Sequence, residues 1–232
     1  MKLFVGTSGY SYKEWVGRFY PEKTRPAEML KFYAEHFNTV ELNNTFYRAP
    51  NEKNLQQWSA DVGKNFCFSL KASKRITHMS RLKESAFETV EYIYKTQQVL
   101  KKKEGPTLFQ LPPNFKADEE RLSEFLKKLP AKRPAAFEFR NLSWFNENIY
   151  ALLNKHNLAL CYSDGEVDDE PFKATADWGY VRLRRVEYDS RQLQDWVDRL
   201  KAQSWQKLFV YFKHEDEATG PKLATRFLEL WN

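Results

Sequence analysis

Histidine is scarce in this chain, whose 232 residues include four. A barrel that hydrolyses phosphodiesters with several zinc ions needs many imidazole ligands, and two of the four histidines, His36 and His156, fall on predicted helices. We therefore predict no bound metal, although Glu41, Glu138 and Asp164 would offer Mg²⁺ or Mn²⁺ the oxygen ligands that these ions accept.

Cysteines, glycine fingerprints and long apolar runs are also rare or missing. The two cysteines, Cys67 and Cys161, fall in predicted strands without a Cys-x-x-Cys spacing, so we expect small buried thiols. No Gly-x-Gly-x-x-Gly motif follows a predicted strand, and we predict no cofactor. No run reaches the roughly 18 apolar residues that span a bilayer, and the first predicted strand starts at Lys2 without a signal peptide. We expect a cytoplasmic protein with no membrane partner.

The chain does contain eight short apolar segments, nearly all separated by helical patterns. The segments cover residues 2–6, 39–43, 66–71, 107–111, 135–140, 158–163, 180–184 and 208–213. The helices are predicted over residues 26–37, 51–62, 80–103, 118–129, 146–156, 190–203 and 221–231. Residues 165–178 show no helical period, and their acids, Glu166, Asp168, Asp169 and Glu170, are expected to be solvated. This alternation predicts an α/β fold: one TIM-type (β/α)8 barrel over residues 1–232, with a parallel sheet and the helix between strands six and seven reduced or missing.

Polar side chains occupy alternate positions at the end of most segments. The pairs are Glu41 with Asn43, Ser69 with Lys71, Glu138 with Arg140, Arg182 with Arg184, and Tyr211 with Lys213. Side chains two apart share a face of a strand, so each pair points one way and apolar neighbours such as Val40 and Phe68 point the other. In a closed parallel barrel we expect the polar face inside, at the carboxyl ends of the strands, where barrel enzymes keep their active sites.

These strand ends and their loops resemble the YecE-like family, also called domain of unknown function 72. The matching residues are Gly6-Thr7-Ser8-Gly9-Tyr10 with Trp15, Glu41-Leu42-Asn43 with Thr45-Phe46-Tyr47-Arg48-Ala49-Pro50, Phe68 with Lys71 and Ile76-Thr77-His78, Leu108-Phe109-Gln110-Leu111-Pro112-Pro113 with Phe115, Glu138-Phe139-Arg140 with Ser143-Trp144, Tyr162-Ser163-Asp164, and Tyr180-Val181-Arg182-Leu183. The resemblance covers residues 3 to about 214 and implies a TIM-type barrel without an established reaction. Members often end the seventh strand with His-Gly and the eighth with an asparagine pair, where this chain has Arg184-Arg185 and Lys213-His214.

The first functional hypothesis is an enzyme that acts on a small anionic or phosphorylated ligand by acid/base chemistry at the mouth of the barrel. A formal net charge of +6 favours anionic partners. The candidate catalytic residues are Glu41, Lys71, Glu138 and Arg140, with either glutamate moving the proton. The candidate ligand-binding residues are Tyr10, Tyr12, Trp15, Asn43, Tyr47, His78, Gln110, Trp144, Asp164, Arg182 and Lys213.

Several alternatives stay open for these residues. The acids and cations can form a structural salt-bridge network, because buried opposite charges must pair. Lys71 with a depressed pKa can form a Schiff base, and the aromatic residues can be lids of the core rather than stacking surfaces. A glycosidase is disfavoured, because Gln110 and Arg182 occupy the fourth and seventh strands, where many barrel glycosidases carry their carboxylates.

The second functional hypothesis is a nucleic-acid-binding module. In this hypothesis the cations of the mouth bind the phosphates of the nucleic acid, and the aromatic rings stack on its bases. A small ligand requires cations inside the mouth, whereas a polymer requires them to continue across the rim. Four cations are expected at the rim and slightly favour the polymer: Arg48, Lys74, Arg75 and Arg185. The enzyme nevertheless stays the first hypothesis.

Overall fold

The fold is an eight-stranded parallel barrel. The computed structural model describes residues 1–165, 171–213 and 216–232. Its strands are β1 (Lys2–Thr7), β2 (Thr39–Leu42), β3 (Cys67–Lys71), β4 (Glu104–Gln110), β5 (Ala135–Glu138), β6 (Ala159–Ser163), β7 (Trp178–Leu183) and β8 (Lys207–Phe212). The hydrogen-bonded order is β1-β8-β7-β6-β5-β4-β3-β2, and every pair is parallel. The predicted barrel is confirmed, and each strand falls on one of the predicted segments.

The α-helices of the described residues pack outside the sheet. They are α1 (Pro26–His36), α2 (Glu52–Asp61), α3 (Phe87–Gln97), α4 (Glu119–Lys128), α5 (Glu147–Lys155), α6 (Ser190–Lys201) and α7 (Thr219–Trp231). Four of them, α2, α4, α5 and α6, begin with a side-chain cap. The capping residues are Asn51, Asp118, Asn146 and Asp189, and each side chain accepts a hydrogen bond from the backbone N–H three residues later. Such a cap pairs one of the N–H groups that a helix start leaves unsatisfied. All but α3 match predicted helices closely.

The prediction of one long helix over residues 80–103 is wrong. The segment contains a 3-10 turn at Glu84–Ala86, then α3, then a 3-10 helix at Gln98–Lys103. Arg81 and Leu82 have φ angles of 47° and 62°, in the left-handed region, and Leu82 is buried. The chain turns sharply here to bury the leucine, so tertiary packing overrides the helical preference of the local sequence.

The connection between β6 and β7 contains no helix among its described residues, 164–165 and 171–177, as predicted. The acids Glu166, Asp168, Asp169 and Glu170, which we expect to be solvated, lie outside the described residues, as does His214. Within the described part of the chain, no helix is both long and apolar enough to cross a membrane.

The two faces of the sheet are filled as the alternation predicts. The barrel interior holds Phe4, Cys67, Leu108, Ala136, Ala159, Cys161, Trp178, Tyr180, Phe209 and Tyr211. Outside the sheet, strand residues such as Val40 and Phe212 join one cluster with Leu30 of α1 and Leu193 of α6. Both cysteines are buried free thiols, as expected.

The seam between β1 and β2 is closed by a side chain from α1. The Tyr33 hydroxyl accepts the Thr7 N–H at 2.8 Å and donates to the Thr39 carbonyl at 3.0 Å. Gly6 lies beside this contact, and a Cβ there would approach the Thr39 carbonyl oxygen to 2.0 Å. Only glycine lets the two strands come close enough for the tyrosine to bridge them.

Candidate functional site

Glu41, Arg182 and Glu138 meet inside the barrel at the carboxyl ends of the strands. They come from β2, β7 and β5, and each is at most 2% exposed. Arg182 lies between the two carboxylates, with Nη2 at 2.9 Å from Glu41 Oε1 and Nη1 at 2.5 Å from Glu138 Oε2. We call these three residues the buried triad. Direct pairing of this kind is what the burial of charged groups requires.

Glu41 is fixed by the seam of the barrel and by β7. Ser8 Oγ donates to Oε1 at 2.7 Å, and Tyr180 Oη donates to Oε2 at 2.7 Å. The backbones of Ser8 and Glu41 form a bridge that closes the barrel at this end. Burial alone would raise the pKa of Glu41, but Arg182 and the two hydroxyl donors hold it below its usual value. The group is therefore a carboxylate at neutral pH.

Glu138 is held in the same way, by Gln110 at the end of β4 and by Arg140 just after β5. Gln110 Nε2 donates to Oε1 at 2.7 Å, and Arg140 Nε donates to the same oxygen at 2.9 Å. Burial acts to raise the pKa of Glu138, yet Arg182 and then Arg140 lower it to about 2. Both glutamates of the triad are thus held ionised by donors that already occupy their oxygens.

Lys71, at the end of β3, faces the same mouth without joining the triad. Its Nζ lies 4.5 Å from the centroid of the Phe46 ring, and no carboxylate of the described residues lies within 4 Å of it. Burial lowers the pKa of Lys71 and Arg182 lowers it further, to about 8, against the opposing effects of Glu138 and Glu41. Near neutral pH such an amine can donate a proton, accept one, or act as a nucleophile.

A layer of hydroxyl groups seals the barrel below the triad. Tyr211 Oη hydrogen bonds with Ser69 Oγ at 2.6 Å and with Thr39 Oγ1 at 2.8 Å. Its ring lies 5.2 Å from that of Tyr180, and all four residues are buried. These side chains fill the barrel interior below the triad, so no channel runs through the barrel at this level.

The loops after β2 and β3 form part of the rim. Tyr47 is 74% exposed, and Lys74 Nζ lies 5.6 Å from the centroid of its ring. His78 packs edge-on against Phe46 at 4.9 Å. Burial lowers the pKa of His78 and the Lys71 charge lowers it further, so its imidazole is neutral at physiological pH.

Two of the aromatic residues predicted to contact a ligand lie in the core instead. Trp15 and Trp144 are at most 1% exposed, and Trp144 stacks on Phe139 at 4.7 Å. For these two tryptophans the core alternative holds, because rings that are at most 1% exposed offer no face to a ligand. Tyr10 and Tyr12 are partly exposed, and Tyr12 Oη donates to the Ser8 carbonyl at 2.7 Å, next to the seam.

The remaining predicted residues are spread around the mouth. Asp164 is buried, accepts the Arg184 backbone N–H at 2.6 Å and also accepts the Tyr188 hydroxyl. It does not join the glutamates of the triad, and the described residues contain no group of three or more His, Cys, Asp or Glu side chains that could hold a metal ion. Lys213 is partly exposed just after β8. Asn43 Oδ1 is buried and accepts no hydrogen bond from any described residue.

Sequence reasoning missed three residues that shape this site: Ser8, Phe46 and Tyr180. Tyr180 precedes Arg182 by two positions on β7, so the same alternation that selected Arg182 could have selected it. Ser8 continues the inward face of β1 in the same way. Phe46 lies in a 3-10 turn (Asn44–Phe46), and no periodic pattern indicates that its ring meets Lys71.

The comparisons agree with the resemblance expected from the sequence. The chain matches, over residues 4–232, the profile of a family described as "Protein of unknown function DUF72". It is 25% identical to the UPF0759 protein YunF of Bacillus subtilis (strain 168), over 93% of this chain and 79% of YunF. It is 27% identical to the UPF0759 protein YecE of Escherichia coli (strain K12), over 62% of this chain and 50% of YecE. The crystal structure of a DUF72 family protein from Thermotoga maritima MSB8 has a TM-score of 0.84 and 25% identity, covering 99% of this chain and 98% of that chain. The chain therefore belongs to the DUF72 family.

Proposed function

We propose that the protein is an enzyme that binds a small anionic or phosphorylated ligand in the mouth of the barrel and uses Lys71 to move a proton. The observation that carries this proposal is the placement of Lys71: half-buried beside the triad, with no carboxylate of the described residues within 4 Å and a pKa lowered to about 8. A cation that has lost part of its water without gaining an ion pair is stabilised by an anion that enters the site.

The glutamates have a different role in this proposal from the one that sequence reasoning gave them. A general base must exchange its proton near the working pH, whereas Glu138 has a pKa of about 2 and Glu41 also titrates below its usual range. Their oxygens are occupied by Arg182 and by neutral donors. We assign them the task of holding Arg182 inside the barrel, where its charge helps to lower the pKa of Lys71.

Three further residues are assigned to ligand orientation. Arg140 lies near enough to Lys71 for its charge to contribute to the lowered pKa, so an anion at Lys71 is also attracted to Arg140. Asn43 Oδ1 is a buried acceptor without a donor among the described residues, which suits a hydroxyl or N–H group on the ligand. Gln110 fixes the position of Glu138 at the same end of the barrel.

The test is the pH dependence of anion binding by the parent protein and two matched variants. Inorganic sulfate is the probe because its charge is constant between pH 6.5 and 9.5, and isothermal titration calorimetry measures its affinity. We expect affinity to fall by about tenfold as the pH rises one unit above the Lys71 pKa of about 8, because the amine loses its charge. Lys71→Met should abolish this dependence and weaken binding, whereas Lys74→Met, which removes an exposed cation from the same loop, should preserve both. Equal sulfate affinity in Lys71→Met and the parent would refute the assignment.

A nucleic-acid-binding function is the second candidate, and the exposed rim favours it. Tyr47 offers an exposed ring with Lys74 beside it, an arrangement that can stack on a base and contact a phosphate. The probe is a fluorescently labelled single-stranded oligothymidylate, whose binding is followed by anisotropy. If this function holds, affinity falls steeply with salt, and Tyr47→Ala weakens binding more than Tyr92→Ala, which removes an exposed ring from α3. An affinity that does not change with salt concentration, or that is equal in the two variants, would exclude the nucleic-acid-binding function.

A further inference from the structure

A cavity lies at the end of the barrel opposite the triad, around the amino ends of the strands. Its volume is about 400 Å³, within the range of small-molecule sites. It is lined by the starts of β1, β4, β7 and β8 and by the loops that precede β5, β6 and β7. We call it the basal cavity. None of the residues predicted for the mouth contributes to it.

The floor of the basal cavity is aromatic. Phe4 and Phe209 stack with their ring centroids 4.6 Å apart and their planes 4° from parallel. Trp178 meets Phe209 edge-on at 6.0 Å, and Cys67 lies at the same level of the barrel interior. Phe4, Phe209 and Trp178 are 4–7% exposed, and the part of each ring that remains accessible gives the cavity an apolar floor.

The rim of the basal cavity carries a pair of like charges. Lys2 and Lys207 are register partners on β1 and β8, and both point to the inward face, as Phe4 and Phe209 do two residues further along. Lys2 Nζ lies 4.9 Å from the centroid of the Phe4 ring. Like charges opposite one another on neighbouring strands are destabilising, and neither lysine has an ion pair with a described residue. Lys102 and Lys132 add two more cations to the wall.

The two acids of the wall offset only part of this positive charge. Glu104 forms a salt bridge with Arg133. Asp177 accepts hydrogen bonds from Asn157 Nδ2 at 2.8 Å and from Gln206 Nε2 at 2.9 Å. The lining holds five cations, Lys2, Lys102, Lys132, Arg133 and Lys207, against these two acids, so the cavity combines an apolar floor with a net positive rim.

We propose that the basal cavity binds an amphipathic organic anion, with an aromatic body against the accessible parts of Phe4, Trp178 and Phe209 and its acidic group between Lys2 and Lys207. The acidic group is a carboxylate, sulfonate or phosphate, since each can accept hydrogen bonds from both ammonium groups. This site is separate from the mouth, because Tyr180, Tyr211 and Leu108 fill the barrel interior between them.

The experiment uses the anionic dye 8-anilinonaphthalene-1-sulfonate as the probe and measures its fluorescence on binding to the intact protein. We expect one site per chain, a dissociation constant at least tenfold higher in the Lys2→Gln/Lys207→Gln double variant, and no change in Lys71→Met. The matched control is Lys31→Gln/Lys53→Gln, which removes two exposed lysines from α1 and α2 and should bind as the parent does. The lysines of both pairs are exposed, so the variants should fold, and thermal unfolding verifies this.

Competition then tests the chemistry of the ligand. We expect 2-naphthoate to displace the dye and 2-naphthylmethanol, which has the same ring system without the charge, to displace it at least tenfold less well. Any of three results overturns the proposal: no stoichiometric dye binding by the parent, equal binding by the two double variants, or equal displacement by the acid and the alcohol.

Discussion

Replacing Lys71 with methionine removes a partly desolvated charge and keeps a side chain of similar length. We expect the Lys71→Met variant to be more stable than the parent protein at pH 7. The reason is that the folded protein holds this ammonium in a place that disfavours the charge, since burial and the Arg182 guanidinium both lower its pKa. A thioether has no such penalty and can still pack against Phe46.

The size of the effect follows from the pKa of Lys71. A fall from 10.5 to about 8 corresponds to about 3 kcal/mol against the charged form, at about 1.4 kcal/mol for each pH unit. The contact of the ammonium with the Phe46 ring, worth about 1 kcal/mol, is lost in the variant, and partial exposure of the lysine reduces the penalty further. We therefore expect a net gain of about 1–2 kcal/mol in the free energy of unfolding at pH 7, or roughly 2–8 °C in Tm for a chain of this size.

The sign of the pH dependence identifies Lys71 as the source. Between pH 8 and 10.5 the unfolded chain keeps the proton on Lys71 while the folded chain releases it, so the stability of the parent rises with pH relative to the variant. The advantage of Lys71→Met should thus be complete below pH 8 and vanish as the pH approaches 10.5. Urea unfolding at pH 7, 8, 9 and 10 measures it.

A control separates this effect from a general loss of positive charge. Lys74→Met removes an exposed ammonium from the same loop and should change stability by less than about 0.5 kcal/mol at every pH. If Lys71→Met is less stable than the parent at pH 7, or if its advantage is the same at pH 7 and pH 10, the reasoning about Lys71 is wrong.

Three further predictions concern the triad and the seam. Arg182→Met should lower the free energy of unfolding by about 3–5 kcal/mol, because it removes the ion pair of the buried Glu41 and leaves the buried Glu138 with Arg140 alone. Arg226→Met, in an exposed pair on α7, should change it by less than about 1 kcal/mol in the same urea titration. The contribution of Glu138 to stability should be complete above pH 4.5 and lost as the pH falls towards 2, so acid unfolding of Glu138→Gln should show a shallower pH dependence than that of the parent. Tyr33→Phe should lower stability by about 1–3 kcal/mol, because the Thr7 N–H and the Thr39 carbonyl lose their bridge at the seam, and amide hydrogen exchange of β1 should accelerate.

The sequence was sufficient to predict the strands and the inward face because both depend on a period of two. Glu41, Glu138 and Arg182 each stand at an inward position near the end of a strand, and the structure brings them together there. What the period could not tell is which cation lies between the acids. The sequence offers four equivalent candidates at strand ends: Lys71, Arg140, Arg182 and Arg184. Their depth in the barrel depends on the stagger of neighbouring strands, which the sequence pattern does not show.

Aromatic residues and the region after β3 were less predictable for a different reason. Trp15 and Trp144 follow strand ends, as ligand-binding residues do, but the short 3-10 turns that carry them, Lys13–Trp15 and Leu142–Trp144, direct their rings into the core. Likewise, the break at Leu82 depends on a buried position that is available only once the barrel has formed. Local patterns carry no information about such long-range packing.

Both ends of the barrel hold cations that the described residues do not neutralise, and this raises the question of which end an anion stabilises. A ligand at 100 times its dissociation constant adds about 2.7 kcal/mol to the stability of the folded state, so thermal shifts can report on each end separately. Sulfate is small enough for either end, whereas the naphthyl body of 2-naphthoate requires the aromatic floor of the basal cavity. If sulfate acts at the mouth, its stabilising effect disappears in Lys71→Met and persists in Lys2→Gln/Lys207→Gln, and the effect of 2-naphthoate shows the reverse pattern. If sulfate instead relieves the repulsion between Lys2 and Lys207, the Lys71→Met variant retains its full response, and the proposed role of Lys71 fails while the basal site stands.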